Sequence, residues 1–234
     1  MGSEMCIRDS DNIAHDLKTP LTRLRNKAAD ALDEADAGHR RAALEGIIAE
    51  SDQLIRTFNA LLMISRVEAG SIAAEMSKVD LSAISADSCE LYEPVAEEAG
   101  LRLETSLAPG LTVRGNRELI GQAMFNLLDN AIKYSAGSEG DPVIRVELAA
   151  DAEGVRLSVC DHGPGVPPDK RDEVVKRFVR LDASRSKPGT GLGLSLVEAV
   201  MELHGGRLVL SATDTVNDQA PGLTASMVFP AAAP

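Results

Sequence analysis

Tryptophan is absent from this chain and aromatic residues make up only 3% of it, so a surface that stacks nucleobases has little to work with. Basic residues are in deficit: 24 Lys and Arg face 36 Asp and Glu, a formal charge of -12, which argues against a protein that holds a duplex by neutralising its phosphates. The three cysteines, Cys6, Cys89 and Cys160, lie far apart with no CxxC pair, which fits neither a zinc site nor a disulfide framework. A reducing compartment is the simplest setting for them. No apolar run approaches the ~18 residues that a bilayer span needs, and the opening MGSEMCIRDS lacks the apolar stretch of a secretory signal. The expectation is a soluble intracellular chain, or a soluble piece of something larger, with no nucleic-acid partner and no membrane contact of its own.

Apolar residues make up 44% of 234, enough to bury the core of one or two domains. From Asp11 to about Gly70 the pattern is helical. Leu44, Ile47, Ile48, Leu54, Ile55, Phe58, Leu61 and Leu62 recur at steps of three and four, and a weaker stripe runs from Ile13 to Leu32. Asp36-Ala37-Gly38-His39 supplies the break of a helical hairpin. Two amphipathic helices cannot cover both stripes alone, so the hairpin is expected to close as a four-helix bundle by homodimerising.

Beyond Gly70 the texture changes. Asp80 reads as the cap of a helix over Leu81 to Glu98, ended by Gly100. Strand-like runs follow at Leu101 to Leu107 and Leu111 to Arg114, then a helix over Asn116 to Tyr134. Val143 to Ala149 and Val155 to Asp161 read as a hairpin turning at Asp151 to Gly154. A helix at Leu192 to His204 and strands at Arg207 to Ala212 and Thr224 to Phe229 complete an α+β two-layer pattern.

Four clusters carry chemistry. His15 is followed by Asp16, Thr19 and Pro20. A lone His beside an Asp is usually just solvated, but here Asp16 can hold the imidazole so that one ring nitrogen stays nucleophilic. Thr19 lies one helical turn on, where it can position a water, and Pro20 bends the helix just past the His. Asn126, Asn130, Lys133 and Tyr134 share one face of a helix otherwise rich in Leu and Ile, where a core would not place them. An amide oxygen suits Mg²⁺ as a hard ligand, and Lys suits phosphate. Asp161-His162-Gly163-Pro164-Gly165 follows a strand; it can be an ordinary turn, or a carboxylate placed to accept from a base amino group with glycines admitting the ring. Gly189, Gly191 and Gly193 open a helix, where backbone amides attract phosphate. The GxGxG spacing after a polar loop disfavours a dinucleotide fold. Between Asp161 and Thr190 seven basic residues meet five acids, +2 in a chain of -12, which welcomes an anion.

With these clusters in this order, the chain resembles the transmitter core of bacterial two-component sensor histidine kinases. The His15 segment looks like that family's H box, Asn126 to Tyr134 its N box, Asp161 to Gly165 its G1 box, Arg177-Phe178 its F box and Gly189 to Gly193 its G2 box. The likeness runs from about Asp11 to Phe229. It implies an α plus α/β architecture: a helical hairpin forming a dimeric four-helix bundle, then a two-layer α/β sandwich of the gyrase/Hsp90/kinase/MutL type that binds ATP. The expected division is a phosphotransfer hairpin at 11–70, a linker at 71–80, the ATP-binding domain at 81–230 and a tail at 231–234. Family members continue apolar upstream of the H box where this chain has Asp9 and Ser10, so residues 1–10 are expected to be a non-native cloning or assembly remnant.

Carried over residue by residue, the resemblance makes His15 the phosphoacceptor, Asp16 its acid/base partner and Thr19 the residue used to dephosphorylate a partner. Asn130 holds Mg²⁺ with Asn126 beside it, Lys133 and Arg180 meet the phosphates, Tyr134 lines the nucleotide and Asp161 reads the adenine amino group. Gly163, Gly165, Gly189, Gly191 and Gly193 form the flexible walls, and Phe178 anchors a lid between Pro167 and Pro188. The implied activity is ATP-dependent autophosphorylation of His15 and transfer to an aspartate of a response-regulator receiver domain, in a cytoplasmic fragment of an inner-membrane sensor. Two rivals are a nucleotide-driven clamp ATPase, which would need no His15 box, and a non-enzymatic dimeric scaffold, which would need no intact Asn130, Asp161 or glycine boxes.

Overall fold

The computed structural model describes residues 21–22, 24–32, 36–68, 76–138, 141–181, 191–214 and 221–231. The chain divides into two compact units, Met1–Leu61 and Leu62–Pro234.

In the first unit, residues 24–32 are helical (α1) and Ala37–Glu68 forms one 32-residue helix (α2) that runs on past the unit boundary. Asp36 starts α2, so three of the four residues read as the break, Ala37, Gly38 and His39, form its first turn: the Asp36 Oδ1 accepts from the His39 N–H at 2.8 Å, and its carbonyl accepts from the Arg40 N–H. The apolar stripe of α2 is in water. Leu44, Ile48, Ile55, Phe58 and Leu62 are each between 47% and 61% exposed.

The second unit holds β1 (Ser77–Asp80), α3 (Leu81–Glu98), β2 (Arg102–Leu107), β3 (Thr112–Gly115), α4 (Arg117–Ser135), β4 (Val143–Asp151) and β5 (Gly154–Cys160). A 3-10 turn at Pro168–Lys170 leads into one-turn α5 (Arg171–Val174), followed by α6 (Gly193–Leu203), β6 (Arg207–Ser211) and β7 (Thr224–Pro230). Five strands form one sheet in the order β2-β4-β5-β7-β6. Only the β2–β4 pair is parallel, joined by a connection that carries α4. Helices α3, α4 and α6 pack on one another and on these strands as the second layer. The seam between layers buries Leu81, Ile120, Met124, Leu128, Ile144, Leu157, Leu196, Met201 and Phe229 almost completely.

The expected cap of α3 is in place, and α4 has one that the sequence reading had not named. Asp80 Oδ1 accepts from the Ala83 N–H at the start of α3, and Asn116 Oδ1 accepts from the Leu119 N–H at the start of α4. Gly100 takes a left-handed φ of 76° just past the end of α3. One expectation is corrected: the end of the stretch read as a linker, 71–80, is strand β1, paired antiparallel with β3 from Ser77–Gly115 to Asp80–Thr112. Four residues with Lys and Asp among them carry too little apolar alternation to be read as a strand, and pairing with β3 supplies what local sequence does not. The stretch between β5 and α6, where the sequence reading places no helix, also contains α5, whose single turn is too short for periodicity to reveal.

Candidate nucleotide site

Helix α4 sets the floor. Leu119, Ala123, Leu127, Leu128 and Ala131 bury one side of it, which turns Asn126, Asn130, Lys133 and Tyr134 together onto a half-buried face. Asn126 is oriented by its own helix: Nδ2 donates to the Gln122 carbonyl at 2.8 Å, leaving Oδ1 directed away from that bond. The first residue of α6 meets this face. A Cβ on Gly193 would stand 3.2 Å from Asn130 Nδ2 and 3.4 Å from Asn126 Oδ1, so glycine there keeps open a gap that any side chain would fill. The N-terminus of an eleven-residue helix, with its unpaired N–H groups and partial positive charge, thus abuts two amide side chains that offer hard oxygen ligands. At the other end of the face, Lys133 Nζ donates to the Tyr134 hydroxyl at 3.1 Å and sits 4.6 Å from that ring's centre.

The wall comes from the end of β5. Asp161 is 5% exposed, and its Oδ1 accepts from the Gly163 N–H at 2.8 Å and the Leu223 N–H at 3.2 Å. Both bonds go to Oδ1, leaving Oδ2 for an incoming donor. Burial outweighs those two bonds and the nearby His162, and pushes the carboxyl up to about 6. Backbone comes close on both sides of it. A Cβ on Gly163 would lie 2.9 Å from the Tyr134 carbonyl oxygen, and one on Gly222 would collide with the Asp161 carbonyl oxygen. Gly165 is pressed on Gly222 and Pro221 in the same way, at a left-handed φ of 69°. Gly222 and Leu223, at the entry to β7, are site-forming residues the sequence reading missed; the signal was Pro221-Gly222 directly before an alternating apolar run.

Phe178 has a φ of 62°, the one described non-glycine residue in the left-handed region, and its N–H donates to the Gly191 carbonyl at 2.9 Å. Gly191 is packed on the Phe178 and Val179 backbone, where a Cβ would come within 2.8 Å. Strain at Phe178 is therefore held by the glycine just ahead of α6. Arg180 is half-buried two residues on. His15, Asp16, Thr19 and Gly189 lie outside the described residues. Among the described residues no group of three or more His, Cys, Asp or Glu could hold a metal ion, so a divalent cation here would lean on amide oxygens and on the phosphates of a nucleotide. The oxygen donors of Asn126 and Asn130 fit such an ion.

Comparison with known proteins agrees with this geometry. The family described as "Histidine kinase-, DNA gyrase B-, and HSP90-like ATPase" matches residues 115–233, and the "His Kinase A (phospho-acceptor) domain" matches residues 10–70. The sensor protein IrlS of Burkholderia pseudomallei is 34% identical over 84% of this chain and 42% of its own length. The histidine-protein kinase/phosphatase MprB of Mycolicibacterium smegmatis is 33% identical over 92% of this chain and 44% of its own. This chain therefore spans less than half the length of these relatives. Among solved structures, a mycobacterial sensor histidine kinase MprB superposes with a TM-score of 0.57 at 33% identity, covering 66% of this chain and 97% of that one. The Acinetobacter baumannii histidine kinase AdeS shares the fold, with a TM-score of 0.70 at 21% identity over 94% of this chain and 98% of its own. Two family matches in chain order, together with the Asn126–Asn130–Gly193 gap and buried Asp161, place the chain in the sensor histidine kinase family.

Proposed function

We propose that this chain is an ATP-dependent protein-histidine kinase that phosphorylates His15 and passes the phosphoryl group to an aspartate of a response-regulator receiver domain. The observation that carries the reading is the junction of the α6 N-terminus with Asn126 and Asn130, an anion-binding helix end set against hard oxygen donors. Asp161 Oδ2 accepts from the adenine amino group, while Tyr134 and the Gly163–Gly165 backbone line the ring. Asn130, with Asn126 beside it, would hold Mg²⁺, which would supply charge neutralisation to the phosphates. Lys133 and Arg180 offset the remaining charge on the transferring group. Gly191 and Gly193 with Phe178 form the wall on the phosphate side, and Gly189 is assigned to the same nucleotide-binding set.

In the transfer, a neutral ring nitrogen of His15 attacks the γ-phosphorus in line, the N–P bond forms as the bond to the β,γ-bridging oxygen breaks, and ADP leaves. Asp16 holds or takes the proton on the other ring nitrogen. Thr19 serves the reverse traffic, positioning a water for loss of phosphate from the regulator. The stripe of Leu44, Ile48, Ile55, Phe58 and Leu62 is then the seam of a homodimeric four-helix bundle, since each such side chain gains about 1.5–3 kcal/mol on full burial. No helix among the described residues is long and apolar enough to cross a membrane; the reading assigns this chain to the cytoplasmic part of a membrane-bound sensor.

Incubation with γ-labelled ATP tests the reading. Acid-labile, base-stable label on the protein supports it. Free phosphate without labelled protein would mean a clamp ATPase, and no turnover at all a scaffold.

A further inference from the structure

Away from the nucleotide cleft, the second unit has a recess of about 320 Å³ between the α5 segment, α6 and β6. From α6 it takes Glu198, five residues beyond Gly193 and roughly 140° round the helix from it, so the recess does not share the face that meets the asparagines. Its apolar lining is Pro168, Val175 and strand β6. Leu208, Val209 and Leu210 all border it, although successive strand residues point to opposite faces. Three successive residues of β6 thus run along the recess.

That strand is the sheet's last. Among the described residues strand β6 pairs with β7 alone, so every second residue turns its N–H and C=O away from the sheet. The charges around it are unbalanced. Arg171 is drawn onto its own loop, its Nε donating to the Val166 carbonyl at 3.3 Å. Asp172 and Glu198 line the recess with no ion-pair partner among the described residues. Glu198 is half-buried; burial first, and Glu202 second, push its carboxyl up, the mark of a carboxylate short of a countercharge.

We propose that this recess docks an extended segment of a separate partner polypeptide, which adds as a strand to β6 and places a lysine or arginine against Glu198 and Asp172. Main-chain hydrogen bonds to the free edge supply affinity. The recess supplies selectivity, with apolar neighbours of the basic residue on Val175, Leu208 and Leu210. A small ligand would use the pocket but leave the edge unpaired, and an acidic segment would meet the two carboxylates.

The probe is a blocked pentapeptide with a central arginine flanked by valines, titrated into the full chain and followed by backbone amide shifts and hydrogen exchange. Saturable binding with shifts and slowed exchange at alternate amides of Leu208–Leu210 is expected, weakened at least tenfold when the central residue is glutamate. Glu198→Gln should weaken it about fivefold while affinity for a non-hydrolysable ATP analogue stays within twofold. N-methylating the peptide on its sheet-facing amides, which leaves the protein untouched, should abolish the exchange protection. No saturation, equal binding of the glutamate peptide, or shifts centred on Asn126 and Asp161 instead of β6 would overturn the assignment. So would concentration-dependent self-association through β6, which would make a second copy the occupant.

Discussion

The two units solve the problem of apolar surface in opposite ways. Around the sheet, Leu81, Ile120, Leu128, Ile144, Leu157 and Phe229 are all but inaccessible, and Leu91 and Val95 are the large apolar side chains left exposed among the described residues there beyond α2. Along α2, one apolar position after another faces water, as Leu32 of α1 does at 84% exposure. A two-layer sandwich closes its own core, whereas a helical hairpin has only one seam and needs a second copy to cover the rest. If that contrast is right, nucleotide binding belongs to one unit alone, and phosphotransfer needs both units and a dimer.

The largest effect separates chemistry from binding. His15→Gln should abolish incorporation of γ-label into the protein while affinity for an ATP analogue changes by less than about threefold, under ~1 kcal/mol. A parallel loss of nucleotide affinity would show that the units are not separable. Next comes the seam. Phe58→Asp puts a charge where a bundle needs an apolar contact and should weaken dimerisation by at least a hundredfold, about 2.7 kcal/mol. Sedimentation equilibrium reads it, and analogue binding should be unmoved. An unchanged dimer would take the α2 stripe out of the interface.

How much of this was legible in the sequence follows the same divide. The sandwich announced itself because its signals are local and redundant: Asp80 caps where it should, Gly100 ends α3, and the Asp151–Gly154 turn falls between two alternating runs. The asparagine face was readable because a helix fixes which residues share a side. What could not be read was set by pairing across distance. Strand β1 exists because β3 accepts it, and the contribution of Gly222 to the Asp161 wall depends on β7 lying beside β5. The strained backbone of Phe178, held by Gly191, likewise has no signature in the residue types alone.

Asp161 allows a sharper cut, because function and stability pull against each other there. Burial raises its native pKa to about 6 from an ordinary 3.8, so the native state holds a proton that the unfolded chain releases. The contribution is fully present below about pH 3.8 and is lost as pH rises through about 6. At pH 8 the ionised carboxylate is therefore a cost. Asp161→Asn keeps an Oδ1 acceptor for the Gly163 and Leu223 N–H groups and removes the charge. The variant should be more stable than the parent at pH 8 by on the order of 1–3 kcal/mol, with the gap closing near pH 4. It should also lose at least tenfold in adenine-nucleotide affinity, because an amide nitrogen faces the base amino group where Oδ2 stood. Denaturant melts across pH and a nucleotide titration read the two effects; a gap that grows on acidification would contradict the burial argument.

The smallest expected effect lies at the joint between the two helices that build the cleft. His204, at the end of α6, accepts from the Asn116 N–H through Nε2 at 3.0 Å and donates from Nδ1 to the Val200 carbonyl at 2.6 Å. It is 7% exposed, and the ring fills the space that a Cβ on Gly115 would need. Both bonds require the neutral ring with its proton on Nδ1, since a protonated Nε2 would point a second hydrogen at the Asn116 N–H. Burial lowers the native pKa from the usual 6.5, only partly opposed by the bond to Val200. Below about pH 6.5 the unfolded chain takes up a proton that the native chain refuses. The contribution of His204 is thus complete above that pH and drains away as pH falls toward the lowered native value. His204→Gln retains an oxygen to accept from Asn116 but has nothing to titrate. Between pH 7.5 and 5.5 the parent should lose more stability than the variant, measured as the difference in denaturant midpoints at constant slope. If the two curves run parallel through that range, the bond to Asn116 does not control the ring's protonation, and the α4–α6 joint is held by its apolar contacts alone.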